Sequence, residues 1–256
     1  VPQFLLPLEK IEGNTFVLSG PEAFHVTRVL RMKEGQTIEL FDGRGGRYNG
    51  VIRKILMDGS VEGDIADKLS SPEPQFAVTL RLFLGIVKPS HFEWAIEKGT
   101  EIGIASFHPV ITPRTIVQSR EISPTKITRW NKIITAAAKQ SKRATLPKLE
   151  SPVHYRDAIV DVTKTGLTLV GWPKEPGRST HAGLKEVLAK AKQEFKKEEK
   201  LTVNLFIGPE GGFSAEEIEL AGVEGAHLFS LGSNTLRTET AAAVSAAIVF
   251  YELGAF

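Results

Sequence analysis

Phe206-Ile207-Gly208-Pro209-Glu210-Gly211-Gly212-Phe213 and Leu231-Gly232-Ser233-Asn234-Thr235-Leu236-Arg237-Thr238-Glu239-Thr240 decide how the rest of the chain is read. In each, a short β-branched and aromatic run breaks at glycine and resumes in a helical pattern, so a bare backbone turn sits where a strand passes into a helix. In α/β proteins that is where ligands bind. Gly208, Gly211, Gly212 and Gly232 can take positive φ and let a ligand touch main-chain N–H and C=O groups with no Cβ between. Arg237 and Glu239 place opposite charges at the start of a helix so rich in alanine that it must pack closely, within a subunit or between subunits.

Upstream of these loops strand and helix alternate. Ala77 to Gly85 reads as a buried strand, and Lys88-Pro89-Ser90 opens a helix with Ser90 and Glu93 in capping-box positions. Phe92, Ala95, Ile96 and Gly99 share its buried face, and it stops at Gly103. Ile104 to Ile111 is the next strand. Ser123-Pro124 starts a further helix, with Ile127, Trp130, Ile134, Ala137 and Ser141 on one buried stripe. Its other faces carry Lys126, Arg129, Lys132, Lys139, Lys142 and Arg143, while Glu121 is the only acid from Arg120 to Lys148, an imbalance that points to a polyanionic partner. Strands at Leu167 to Trp172, Thr202 to Ile207 and His227 to Leu231 follow. A loop from Pro173 to Gly177, a charged helix from about Gly183 to Lys200, a helix capped by Ser214 and Glu217, and a last helix from Thr238 to about Leu253 complete an α/β domain with a largely parallel sheet.

The amino-terminal part reads differently. Thr15 to Leu18, Thr37 to Phe41, Arg47 to Ile52 and Gly59 to Gly63 are short strands, with Asp42-Gly43 as a hairpin signal, so a small β-barrel or curled sheet is expected. Pro21 to Arg31 has a short helical pattern between the first two. Leu69 to Gln75 is polar and proline-bearing, a linker that divides the chain into domains over residues 1–70 and 76–256.

Composition narrows the chemistry. With 256 residues, 41% of them hydrophobic, the chain can bury a core without staples, and no cysteine is present for disulfides, thiolate metal sites or thiol nucleophiles. The six histidines are scattered without metal-ligand spacing, so no metal is expected. A net charge of +2 does not by itself announce nucleic acid. No apolar run reaches membrane-span length and no basic-then-hydrophobic leader is present, so the reading is of a soluble, cytoplasmic chain. Walker, dinucleotide, zincin and nucleophile-elbow motifs are missing.

The run GPEGGFSAEE at 208–217, followed by LGSNTLRTETAAAVSAA at 231–247, resembles the paired cofactor loops of the RsmE family of 16S rRNA (uracil-N3)-methyltransferases, members of the SPOUT superfamily. Three further segments extend the resemblance: His25 to Arg31 with Lys33 and Gly35, Lys88 to Gly103, and Ala138 to Pro147. The resemblance implies a trefoil-knotted α/β SPOUT domain preceded by a small PUA-like β-barrel that binds RNA, and a homodimer. It implies S-adenosylmethionine as cofactor, held by Ile207, Gly208, Pro209, Glu210, Gly211, Gly212, Leu231, Gly232 and Leu236. It implies RNA contact through Arg28, Arg31, Lys33, Lys88, Gln140 and Arg143, with Arg44 and Arg47 extending the cationic face, and with the small-subunit rRNA or the ribosomal subunit as partner. Lys98 and Glu101 are candidates for substrate or subunit contact, or members of a solvated helix face.

The reaction implied is methylation of N3 of a uridine, a nitrogen whose proton must leave or whose anion must be stabilised. Arg237 is the candidate for stabilising charge on the uracil carbonyls. Glu210 or Glu239 either accepts the proton or fixes the arginine. The alternatives are a SPOUT methyltransferase acting on another rRNA or tRNA position, and a non-catalytic RNA-binding protein.

Overall fold

The structure, a computed structural model, describes residues 2–69, 78–115, 122–173, 183–194 and 200–255. Glycine-bounded β-branched runs build the amino-terminal unit. Strands β1 (Gln3–Leu5), β2 (Ile11–Glu12) and β3 (Thr15–Leu18) precede helix α1 (Gly20–Phe24), and β4 (Thr37–Phe41), β5 (Arg47–Ile55) and β6 (Val61–Leu69) follow. They form a six-stranded sheet in the order β1-β4-β5-β6-β3-β2, antiparallel except for β1 against β4. Phe4, Phe16, Val26, Ile38, Leu40 and Ile52 fill its core.

Two local features depart from the pattern. The helix expected to run to Arg31 widens after Phe24 into a π-helical turn over His25–Val29, closed by Leu30 N–H donating to His25 O at 3.0 Å. Val26 stays in the core, while Phe24, Arg28 and Val29 are turned to solvent and Arg31 is held at φ 52°. The Asp42-Gly43 signal is realised as a longer turn: Asp42 Oδ1 accepts the N–H groups of Arg44 at 2.7 Å and Gly46 at 2.9 Å.

The second unit begins with β7 (Val78–Gly85), α2 (Pro89–Ile102), β8 (Ser106–Ile111) and α3 (Pro124–Gln140). It continues through β9 (Lys148–Leu149), β10 (Val153–His154), α4 (Tyr155–Val162), β11 (Leu167–Gly171) and α5 (Leu184–Glu194) to β12 (Leu201–Ile207), α6 (Ala215–Val223), β13 (His227–Phe229) and α7 (Thr238–Glu252). The sheet is parallel throughout, in the order β10-β8-β7-β12-β11-β13, with β9 pairing the same strand β8 as β10. Phe83, Val170 and Phe206 point to the face where Tyr155, Ile159, Phe213 and Ala221 of the α4 and α6 side meet them. The pleat sends Leu82, Leu84 and Leu205 to the opposite face, and α7 packs on β7 and β12 and against α2 and α5. Ala242 and Ala246 of α7, with Ser245 and Val249, are buried within the subunit, whereas Ala241, Ala243 and Ala247 are only partly buried.

Contacts group Val1–Glu73 with Thr135–Leu146 as one compact unit, and Pro74–Ile134 with Pro147–Phe256 as the other. The end of α3 and the segment after it are therefore built into the amino-terminal unit. Leu146 N–H donates to Gly43 O at 2.9 Å, and Lys139 Nζ pairs with Glu22 at 2.8 Å while lying over the Phe4 ring.

Several expectations are corrected. Helix α2 starts at Pro89, so its N-cap is Lys88 and Ser90 is the second helical residue; no capping box forms, because the lysine ammonium has no acceptor for the backbone N–H groups of the first turn. Ile127 is exposed, and the buried stripe of α3 runs through Trp130, Ile134, Ala137 and Ala138. Two of the cations of α3 have acids beside them: Glu22 takes Lys139 at 2.8 Å and Glu93 takes Arg129 at 2.7 Å. Lys98 is bonded to Glu97 and Glu101 on its own helix, both at 2.8 Å. Strands β1, β2, β9 and β10 and helix α4 were not anticipated. The linker beyond Leu69, Ala77, Arg120, Glu121, the loop after Pro173 and helix residues 195–199 lie outside the described residues.

Candidate active site

Strand β12 delivers the first loop. Its last residue, Ile207, is followed by Gly208, and a turn closed by Gly212 N–H on Pro209 O at 2.8 Å leads through buried Phe213 to α6. Ser214 and Glu217 cap that helix reciprocally, Ser214 N–H donating to Glu217 Oε2 at 2.7 Å and Glu217 N–H to Ser214 Oγ at 3.2 Å. Helix start and loop end are thus fixed together. A Cβ at Gly85 would fall 2.4 Å from Pro209 N, so the end of β7 must be glycine for the loop to lie where it does.

Strand β13 delivers the second loop. Ser230 Oγ donates to Gly232 O at 3.0 Å, and Thr238 Oγ1, in the first turn of α7, donates to Gly208 O at 3.0 Å. That last bond ties the two loops to each other. Arg114, from the segment after β8, adds a clamp, its Nη1 donating to Gly211 O at 2.8 Å and Phe213 O at 3.1 Å. Between the loops lies a cavity of about 710 Å³, a size that suits a cofactor.

Ile207, Gly208, Pro209, Glu210, Gly211, Gly212, Leu231, Gly232 and Leu236 all line this cavity, and so do Arg237 and Glu239. Two of the four glycines use the freedom to take positive φ, Gly212 at 66° and Gly232 at 117°. Gly208 and Gly211 are not among the positive-φ residues; they are small because the space is occupied. A Cβ at Gly208 would meet Gly212 backbone at 3.1 Å, and one at Gly211 would meet Arg114 Cβ at 3.3 Å.

Two titratable residues of the cavity escaped the sequence reading, Arg114 and His91. His91 is in the first turn of α2, with Nδ1 3.7 Å from Glu210 Oε1 and 3.8 Å from Glu239 Oε2. Lys88 N–H also reaches Glu210 Oε1, at 3.4 Å. The site therefore combines a bare main-chain cradle, two carboxylates about an imidazole, and the exposed Arg237 at the N-cap of α7.

The family model for an RNA methyltransferase domain matches residues 74–250, and that for an RNA methyltransferase PUA domain matches residues 18–65. A Synechocystis protein named ribosomal RNA small subunit methyltransferase E is 30% identical over 93% of this chain and 74% of its own length. The chain belongs to this methyltransferase family. Among solved structures, the ribosomal RNA small subunit methyltransferase E of Neisseria gonorrhoeae bound to S-adenosylmethionine is 25% identical with a TM-score of 0.77, over 98% of this chain and 97% of that one. A Legionella pneumophila protein in complex with the bound cofactor SAM is 29% identical, also with a TM-score of 0.77, over 97% and 96% of the two chains. The fold is thus a PUA-like domain with an α/β methyltransferase domain whose sheet is parallel, and the cavity lies in the methyltransferase domain.

The residues expected to meet RNA divide between the units. Arg28, Arg31 and Lys33 are exposed on the PUA-like unit, and Gln140, exposed, and Arg143, half-buried, belong to the same unit through the end of α3. Burial lowers the Arg143 guanidinium to about 10, which leaves it cationic near neutrality. Arg47 pairs with Glu39 at 3.8 Å. Lys88 is exposed in the methyltransferase unit, beside the cavity loop it touches through Glu210. Among the described residues no helix is long and apolar enough to cross a membrane, and no cluster of three or more His, Cys, Asp or Glu could hold a metal ion.

Proposed function

We propose that this protein is an S-adenosylmethionine-dependent methyltransferase that modifies N3 of one uridine in small-subunit (16S) rRNA. The observation that carries the reading is that both glycine loops line one cavity, with a Cβ at Gly208 crowding the Gly212 backbone of its own loop at 3.1 Å. Residues 207–212 with Leu231, Gly232 and Leu236 hold the cofactor there. When bound, it supplies an electrophilic methyl group on a sulfonium centre. The protein's part is to orient and to manage charge: Arg237, at the rim, stabilises negative charge on the uracil carbonyls, and Glu210 and Glu239 serve as the carboxylates of the site.

In this reading residues 1–70 bind RNA through Arg28, Arg31 and Lys33, residues 76–256 carry catalysis, and Lys88, Gln140 and Arg143 extend the RNA contact. The protein acts in the cytoplasm on rRNA or the ribosomal subunit, as a homodimer, and its carboxy-terminal segment forms a trefoil knot. The strand order, with β12 inserted between β7 and β11, is compatible with such a threading. Mass mapping of rRNA from a deletion strain tests the function. A methyl group missing from one 16S uridine N3 and restored by the purified protein is the expected result. A tRNA product, or restoration at another atom, overturns it, and failure to bind S-adenosylmethionine or S-adenosylhomocysteine by calorimetry leaves only an RNA-binding protein.

A further inference from the structure

His91 has no part in the reading above, yet it lines the cavity beside two carboxylates. Its Nδ1 is buried without a hydrogen-bond partner, and the same holds for Glu239 Oε2, 3.8 Å away. The side chain as a whole is nevertheless 30% exposed. The Nδ1 edge of the ring therefore faces Glu210 and Glu239, Nε2 is not buried in the same way, and the ring lines the cavity. A helix rather than a loop holds the ring in place, since His91 lies between Pro89 and buried Phe92 in the first turn of α2.

We infer that His91 is a catalytic residue, the base that removes the N3 proton of the target uridine at Nε2, with its Nδ1–H held by Glu210 and Glu239. The inference rests on the uridine-N3 reading and deepens it. In the proton step the N3–H bond breaks and leaves its electron pair on nitrogen, and the proton joins the Nε2 lone pair. A neutral imide and a neutral imidazole become an anion and a cation, and the imidazolium later gives the proton to solvent. The anion's pair is what a methyl donor requires. Imidazole is a stronger base than a carboxylate by about two pK units, which brings it nearer to a weakly acidic imide nitrogen. A carboxylate at Nδ1 fixes the tautomer that leaves Nε2 free and stabilises the imidazolium once formed. At 3.7 and 3.8 Å the carboxylates stand just outside hydrogen-bond range, and such contacts shorten when substrate fills a site.

The charged groups about the ring come from four places. Lys88 and Glu93 lie on or next to its own helix, Glu210 follows β12, Glu239 and Arg237 come from the start of α7, and Arg114 lies across the cavity.

His91→Asn tests the assignment. Binding of S-adenosylhomocysteine, measured by calorimetry, should stay within about twofold, while single-turnover methylation of small-subunit rRNA falls by about 10²- to 10⁴-fold. RNA carrying 5-fluorouridine at the target, whose N3 is more acidic, should recover most of that loss in the variant and gain little in the wild type. In the S-adenosylhomocysteine complex of the wild type, nitrogen NMR of the His91 ring should report a proton on Nδ1 and none on Nε2. An unchanged rate, a loss matched by lost cofactor-product binding, no recovery with 5-fluorouridine, or an Nε2–H tautomer would each overturn the assignment. Wild-type protein that produces no N3-methyluridine removes the underlying reading first, and the role of His91 with it.

Discussion

Arg114 holds two carbonyl oxygens of the Gly211 to Phe213 turn with one guanidinium nitrogen, and Arg237 touches neither. The two arginines of one cavity should therefore fail in different ways. Hydrogen bonds from a charged donor are worth about 1.5–3 kcal/mol each, part of which the loop recovers by relaxing. Arg114→Ala is thus expected to weaken S-adenosylhomocysteine binding about tenfold by calorimetry, with methylation restored at saturating cofactor. Arg237→Ala is expected to leave that affinity unchanged and to lower the single-turnover rate about 10²-fold or more, the size seen when one stabilising donor is removed from a developing anion. Normal turnover in Arg237→Ala would remove its proposed role. At this scale the sequence was half legible. The glycine loops announced themselves because turn chemistry is local, whereas Arg114 meets a carbonyl 97 residues away and His91 meets carboxylates from two other elements. No local pattern encodes such meetings.

Elements were legible where one face is buried and one is not. The stripe Phe92, Ala95, Ile96 and Gly99 of α2 is buried as its spacing requires, and the reciprocal cap of α6 follows directly from Ser214 and Glu217. Short parallel edge strands such as β9 and β10 have two residues each, too few to show a period. The central sheet also carries a titratable group that composition could not rank. His108 on β8 stacks on Phe83 with ring centroids 4.2 Å apart, and burial, with Arg81 nearby, holds its imidazole down at about 4. Unfolded, the same group titrates near 6.5. Between those values the unfolded chain binds more protons, so stability is full above about pH 6.5 and is lost as pH falls towards 4. For a half-buried ring the loss should be about 2 kcal/mol. Glu217, raised by burial, works in the opposite direction, favouring the folded state at low pH and losing that contribution as pH rises. Urea unfolding of wild type and His108→Gln from pH 7 to 4 checks this: the variant should show a shallower decline, and parallel curves would exclude the histidine.

For the molecule as a whole, the sequence pattern and the folded chain divide the basic residues differently. Along the sequence, Arg129, Lys139 and Arg143 read as one unneutralised run; in the structure Glu93 takes the first and Glu22 the second, from elements that local charge counting does not connect. The end of α3 also joins the amino-terminal unit, so Gln140 and Arg143 share a body with Arg28, Arg31 and Lys33 while the cofactor cavity is built wholly from the other. Affinity for RNA and affinity for cofactor should then be separable. A protein that neutralises phosphates on a single strand loses affinity with salt at a slope of about 0.7 per phosphate. Replacing Arg28, Arg31 and Lys33 together by alanine removes three exposed cations at once. The logarithmic salt dependence of 16S rRNA binding should become shallower by about 2, with weaker binding at low salt and S-adenosylhomocysteine affinity unchanged. A wild-type slope in the triple variant would mean that these cations do not meet the backbone, and a parallel fall in cofactor affinity would mean that the two functions are not divided between the units.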